Sequence, residues 1–228
     1  MTTSELAAFL ETIPLFQGLA PEDRKLVAPY CRVKAYEKGA TIFSEGEPAR
    51  DLCFVVLGRV KVVKAGRGRD LILGLFGPGE PFGLVAVFDG TPYPASAVAL
   101  EPATVLHVPE RDFFAALGAQ AGVVKRLVQG LMLRQLELTR RLTDLTGHVE
   151  NRLARLFVML AEKTGRARDR GVEIPLILSR QEIADLGATT IETAIRVMSR
   201  WGKENLVVTH PGGFTIPDLD ALKRVEEG

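Results

Sequence analysis

Cysteine and histidine are scarce in this chain, and their scarcity removes whole classes of function before any motif is read. Two cysteines, Cys31 and Cys53, are too few for a disulfide framework and show no metal-ligand spacing, so both read as structural thiols. The three histidines, His107, His148 and His210, include no His-x-His pair, which argues against a metal centre built from neighbouring strands. No apolar run is long enough to span a bilayer, and the opening Met-Thr-Thr-Ser-Glu-Leu6 lacks the basic and then apolar regions of a secretory signal. A cytoplasmic location with no membrane partner is the expectation. The formal net charge is only +1, so the chain is not one that coats nucleic acid indiscriminately, and any affinity for DNA has to come from a local patch. What is present is an ordinary globular composition, 46% hydrophobic and 25% charged over 228 residues, enough for one or two domains with a real core.

Against that plain background the stretch from Ser179 to Trp201 stands out. Ser179 with Glu182, and Thr189 with Glu192, each have the capping-box spacing in which a hydroxyl and a carboxylate satisfy free amides at a helix start. Leu186-Gly187-Ala188-Thr189 between them is short and contains a glycine, as a tight turn between two helices needs. In the second helix Ala194, Val197, Met198 and Trp201 recur at helical spacing and are expected to face the core, leaving Thr190, Glu192, Thr193, Arg196, Ser199 and Arg200 outward. This is a helix-turn-helix pattern, whose second helix enters the major groove, where arginine pairs with guanine and glutamate accepts from cytosine. Arg196 is the expected base-reading residue and Glu192 the second. Duller roles exist for both: Glu192 as a cap carboxylate alone, Arg196 as its i, i+4 ion-pair partner. Arg180, Arg200, Lys203 and His210 supply the local cationic patch. The expected DNA-contact set is Arg180, Thr189, Thr190, Ile191, Glu192, Thr193, Arg196, Arg200, Lys203 and His210.

The rest of the chain divides into recognisable parts. A helix around Ser4 to Leu10 and a second opened by Pro21 precede a region, from Val33 to about His107, of short β-rich runs separated by glycine turns. Examples are Ala40–Phe43, Cys53–Leu57, Arg59–Val63, Leu71–Phe76 and Ala103–Val108, and such spacing argues for a barrel or jelly roll. Pro109 to Asp112 opens a short helix. From Ala121 to His148, Val124, Val128, Leu131, Gln135, Leu138, Leu142 and Leu145 fall at alternating steps of four and three, the seam of a coiled coil interrupted only by Gln135. A homodimer is the expected use of that seam, and Gln135 can fix its register. Helix resumes to Leu160, a charged loop runs from Gly165 to Gly171, a strand is expected over Glu173–Leu178, and Leu206–Ile216 reads as a hairpin around Pro211-Gly212-Gly213. The fold class is α+β: an N-terminal double-stranded β-helix or jelly roll over 1–120, a coiled-coil dimerisation helix over 121–148, and a winged helix-turn-helix over 149–228.

This order of parts, with Ile13–Leu19, Gly39–Phe43, Gly46-Glu47, Gly79-Glu80, Phe82-Gly83, Ser179–Ile183 and Ile191–Arg196, closely resembles the Crp/Fnr family of bacterial transcription regulators over nearly the whole chain. The resemblance implies a homodimer on a two-fold symmetric promoter site, with Arg180 on phosphate and Glu192 and Arg196 at base edges. It also implies RNA polymerase as a partner, near the loop that carries Arg166, Arg168 and Arg170. The turn departs slightly from the family: Gly187-Ala188 stands where many members have glycine second.

The same resemblance locates an effector pocket at Gly83, Leu84, Val85, Tyr93, Pro94, Ala95 and Ser96, with Glu137 and Leu138 of the dimer helix facing it. Members that bind cyclic AMP have a glutamate after Phe-Gly, an Arg-Ser pair opposite, and a Thr-Ser pair on the dimer helix; here these are Leu84, Tyr93-Pro94 and Glu137-Leu138. A cyclic phosphodiester needs a cation and a ribose needs an acceptor, so the substitutions argue against cyclic AMP. Two cysteines exclude an iron–sulfur cluster of the family type. A haem-sensing member stays an open alternative, although no histidine is an obvious axial ligand, and so do another small ligand or none. From a different class, a metal-dependent jelly-roll enzyme of the cupin kind would need clustered histidines that the roll lacks.

Overall fold

Alternation along the strand Asp51–Leu57 sets the layering of the N-terminal unit. Leu52 and Phe54 turn to one face, where they are buried with Leu106, Val108, Leu6 and Leu10; Cys53 and Val55 turn to the other and are buried with Phe43, Phe82, Tyr93 and Val105. The structure is a computed structural model and describes residues 2–13, 16, 21–66, 70–112, 148–169 and 171–227. The chain divides into two units, 1–136 and 137–228.

In the first unit, helices α1 (Thr3–Thr12) and α2 (Pro21–Val27) lead into eight strands: β1 (Arg32–Tyr36), β2 (Thr41–Phe43), β3 (Asp51–Leu57), β4 (Val60–Lys64), β5 (Leu71–Phe76), β6 (Pro81–Phe82), β7 (Ser96–Ala99) and β8 (Ala103–Pro109). They form two four-stranded antiparallel sheets, β1-β8-β3-β6 and β2-β7-β4-β5, the jelly roll expected from the turn spacing. Between the sheets lies one core, and the outer face of the β3–β8 sheet packs against α1 and α2 in another. A helix not expected from the sequence, α3 (Leu84–Asp89), starts at Gly83, whose φ of 73° is left-handed. The dimer-seam residues Val124 to Leu145, the pair Glu137-Leu138, Arg170 and most of the Ile13–Leu19 motif lie outside the described residues.

The second unit runs α4 (Val149–Thr164), β9 (Arg166–Arg168), β10 (Gly171–Ile174), α5 (Arg180–Leu186), α6 (Ile191–Lys203), β11 (Val208–His210), β12 (Gly213–Ile216) and α7 (Leu219–Glu227). Its sheet has the order β11-β12-β10-β9, so the expected wing hairpin β11–β12 continues into a second hairpin. That corrects the reading of Gly165–Gly171 as a loop. All three residues of β9 are exposed, so no hydrophobic alternation marks them, and register is held by Val172 opposite Ala167 and by an ion pair of Arg168 with Glu173 at 2.8 Å. The strand expected over Glu173–Leu178 ends at Ile174, because Pro175 has no N–H to donate. Phe157 of α4 lies edge-on to both Trp201 and Phe214, with ring centroids 6.2 and 5.0 Å away, and so joins the helix pair to the wing. No helix among the described residues is long and apolar enough to cross a membrane.

Candidate nucleic-acid interface

The first helix of the pair is capped as its sequence requires. The Ser179 hydroxyl accepts from the Glu182 N–H at 3.1 Å, and the Glu182 carboxylate accepts from the Ser179 N–H at 2.9 Å. The second start differs by one residue from expectation. Thr190, not Thr189, is the N-cap of α6, and its hydroxyl accepts from the Thr193 N–H at 3.3 Å, with no capping box to Glu192. Thr189 is buried, and its N–H closes onto Ala184 at 2.9 Å. The cause is the turn: Ala188, with φ of 48°, takes the left-handed position that bends the chain, so one further residue passes before helix resumes.

Gly187 serves another purpose than a positive φ. Its own φ is −85°, but a Cβ there would stand 2.5 Å from Leu153 Cδ2 and 3.2 Å from the Ile183 carbonyl. The glycine lets the turn lie against α4, and the alanine after it bears the strained conformation. Arg152 of α4 holds that turn, donating from Nε to the Gly187 carbonyl at 3.1 Å and from Nη2 to the Ala188 carbonyl at 3.2 Å. Two residues earlier, Glu150 accepts from the Trp201 indole N–H at 3.0 Å and is ion-paired with Arg200. Burial raises the pKa of the Glu150 carboxyl, but the hydrogen bonds from Arg200 and Trp201 outweigh it and hold the group below its ordinary value. The start of α4 thus grips α6 before its N-terminus and near its C-terminus.

The outward face of α6 carries Glu192, Arg196, Ser199 and Lys203, all exposed, while Ala194, Val197, Met198 and Trp201 are buried as expected. Arg196 and Lys203 have no ion-pair or hydrogen-bond partner among the described residues. Glu192 does not pair with Arg196; its carboxyl is held below its ordinary value by its own backbone N–H and then by the Thr190 hydroxyl. Three other expected contact residues have partners within the unit. Arg200 is drawn to Glu150, and Arg180 donates to the Thr209 hydroxyl at 3.1 Å, tying α5 to the wing. His210 accepts from the Gly212 N–H at 3.2 Å inside the wing turn. Sequence reasoning missed Glu150 and Arg152, which lie far from the helix pair along the chain, and Ile195, which is exposed on α6.

In the β-roll, several of the residues expected to line an effector pocket are engaged with their own neighbours. Tyr93 is buried and stacked on Phe43, with centroids 3.7 Å apart and planes 9° from parallel, and its hydroxyl donates to the Asp51 carbonyl at 3.0 Å. A Cβ on Gly83 would stand 3.0 Å from the Tyr93 ring. Leu84 packs toward the core under α1, Val85 points to solvent, and Ala95 is buried. Beside exposed Pro94, Lys64 donates to its carbonyl at 2.8 Å and pairs with Glu45 at 2.5 Å, while the Ser96 hydroxyl accepts from the Glu45 N–H. Histidine is equally committed: His107 Nε2 lies 3.0 Å from the Tyr36 hydroxyl, and Nδ1 lies 3.5 Å from Cys53 Sγ and 3.6 Å from Asp51, which also takes a double contact from Arg32. Cys31 and Cys53 are buried free thiols, and burial pushes Cys31 up to about 12. Among the described residues no three or more His, Cys, Asp or Glu side chains are grouped to hold a metal ion.

Comparison with known proteins places both units. Residues 33–120 match the profile of the cyclic nucleotide-binding domain, and residues 151–225 match that of the Crp-like helix-turn-helix domain. The chain is 29% identical over 218 residues to the "Cyclic AMP receptor protein" of Thermus thermophilus, covering 94% of this chain and 97% of that one. It is 26% identical over 198 residues to the "Global nitrogen regulator" of Synechococcus elongatus, covering 85% and 89%. A solved Crp-family transcriptional regulator of Thermus thermophilus superposes with a TM-score of 0.72 at 27% identity, covering 86% of this chain and 97% of that one.

Proposed function

The chain belongs to the Crp/Fnr family of transcription regulators, and from that premise we propose that two copies of it bind a two-fold symmetric promoter site through α6. The observation that carries this reading is the face of α6, where Arg196 and Lys203 stand exposed beside Glu192 with no partner among the described residues. Arg196 reads a base edge, Glu192 a second, and Lys203 and His210 meet phosphate. Thr190, Thr193 and Ile191 line the entry of the helix into the groove. Arg180 and Arg200 act partly within the protein, through Thr209 and Glu150, and Thr189 supports the turn from the buried side. Homodimerisation rests on the seam Val124, Val128, Leu131, Gln135, Leu138, Leu142 and Leu145. RNA polymerase is the protein partner of the bound dimer, met at the β9–β10 hairpin with its Arg166 and Arg168.

The effector is a ligand other than a cyclic nucleotide. Where a cyclic phosphate would need a cation, Tyr93 is buried against Phe43 and Lys64 is already neutralised by Glu45. Where a ribose would need an acceptor, Leu84 faces the core. Such residues do not fit the group. Selection of duplexes from a random-sequence pool by the full chain tests the DNA reading. An enriched inverted repeat with half-sites about one helical turn apart is expected; absence of any enriched sequence would overturn it.

A further inference from the structure

Of the large apolar residues described in the C-terminal unit, only Ile177 and Ile195 are exposed, and Ile195, 48% accessible, lies on the recognition helix itself. At 3.6 residues per turn it stands about 60° round the helix from Glu192, with Ile191 one turn before it. The two isoleucines therefore make a short apolar strip alongside Glu192, Arg196 and Ser199, outside the arc of Ala194, Val197, Met198 and Trp201 that is buried. A β-branched residue at a solvent-facing helix position gains neither propensity nor burial, so the strip calls for an apolar surface to cover it. The flanking side chains say which. Arg196 and Lys203 have no partner among the described residues, and unpaired cations beside an apolar strip suit a groove lined by phosphates. In the major groove, the apolar feature of a base edge is the C5-methyl group of thymine.

We infer that Ile195, with Ile191 one turn before it, is a specificity-determining residue that packs on a thymine methyl group in each half-site. This rests on the DNA-reading proposal above and adds to it: Arg196 and Glu192 select bases by hydrogen bonds, whereas Ile195 selects an A·T pair by apolar contact. Polar donors and acceptors cannot mark the methyl, and an isoleucine cannot mark a guanine edge, so the two strips read different base pairs.

The test uses the full chain and the duplex enriched from a random pool, remade with each thymine in turn replaced by deoxyuridine, which lacks only the methyl. At one thymine per half-site the wild type should bind about fourfold more weakly, the worth of one buried methyl. Ile195→Ala should bind the thymine and uracil duplexes equally, and Ile195→Val should retain part of the difference. An unfolding transition, followed by Trp201 fluorescence, that matches the wild type would show that Ile195→Ala leaves the unit intact. The inference is overturned if no uracil position weakens the wild type, or if the same penalty persists in Ile195→Ala and in the Ile191→Ala/Ile195→Ala pair. Failure to enrich any duplex would instead remove the DNA reading on which it stands.

Discussion

Arg152 donates to the carbonyl of Ala188 at 3.2 Å, so a side chain of α4 holds the single left-handed alanine that turns the chain into its recognition helix. The same arginine holds the neighbouring Gly187 carbonyl, and Glu150, half a turn earlier on α4, holds Arg200 and Trp201. The helix that follows the expected dimer segment thereby fixes where the DNA-facing side chains stand. Glu150 and Arg152 act on DNA recognition through the residues they position.

The turn yields opposite expectations for adjacent residues. Ala188→Gly relieves the left-handed strain and should stabilise the C-terminal unit by about 0.5–1 kcal/mol, the relief being partly offset by the greater freedom of glycine in the unfolded chain. Gly187→Ala places a methyl against Leu153 and the Ile183 carbonyl and should destabilise it by about 1–3 kcal/mol. Urea unfolding followed by the fluorescence of Trp201, the single tryptophan, reads both; equal effects of like sign would refute the division of labour.

How much of this was legible beforehand follows from which interactions are local. The Ser179–Glu182 box and the buried stripe of α6 are written within a few residues, and they fold as written. Thr189 and Thr190 are both hydroxyls at cap spacing, so the choice between them depended on the conformation of Ala188, which no residue type announces in an alanine. The β9 strand is polar and exposed throughout, β6 is two residues long, and β7 is alanine-rich, so none carries the alternation that marks a strand. Partners such as Glu150 for Trp201 arise only from the packing of distant helices. The sequence shows Tyr93 as a departure from the pocket pattern, but its stack on Phe43 and its bond to the Asp51 carbonyl arise only in three dimensions.

The Glu150 carboxyl sits below its ordinary value in the folded unit, so its contribution is present above the usual carboxylate range and is lost as pH falls through the folded value. Stability measured by Trp201 fluorescence should therefore fall as pH drops from about 5 toward 3. Glu150→Gln should flatten that fall and cost about 1 kcal/mol at neutral pH, since glutamine still accepts from the indole but loses the charge that faces Arg200. An unchanged acid profile in the variant would show that other carboxylates govern it.

Two cations on α6 should separate by their effect on sequence preference. Arg196→Ala should cost about 1–3 kcal/mol on the enriched site and relax the preference at one base pair. Lys203→Ala should weaken specific and random duplexes alike and lower the salt slope by about one unit. If Arg196→Ala behaves like Lys203→Ala, it contacts phosphate and not a base.

The Tyr93–Phe43 stack and the Lys64–Glu45 pair predict indifference to cyclic nucleotides. A ligand that binds the folded state raises its stability in proportion to the logarithm of its concentration over Kd, so cyclic AMP at about 100 times the Kd of a functional site would add about 2.7 kcal/mol. Differential scanning fluorimetry of the full chain should show no rise in Tm with cyclic AMP. A concentration-dependent rise would mean that Tyr93 and Lys64 yield their present partners.

The mass of the protein–DNA complex, measured by native mass spectrometry on the full chain with its enriched duplex, bears most directly on a paired, two-fold reader. Two chains per duplex, and none on a duplex with one half-site scrambled at the same concentration, is the expected result; a single chain bound equally well to either duplex would contradict it.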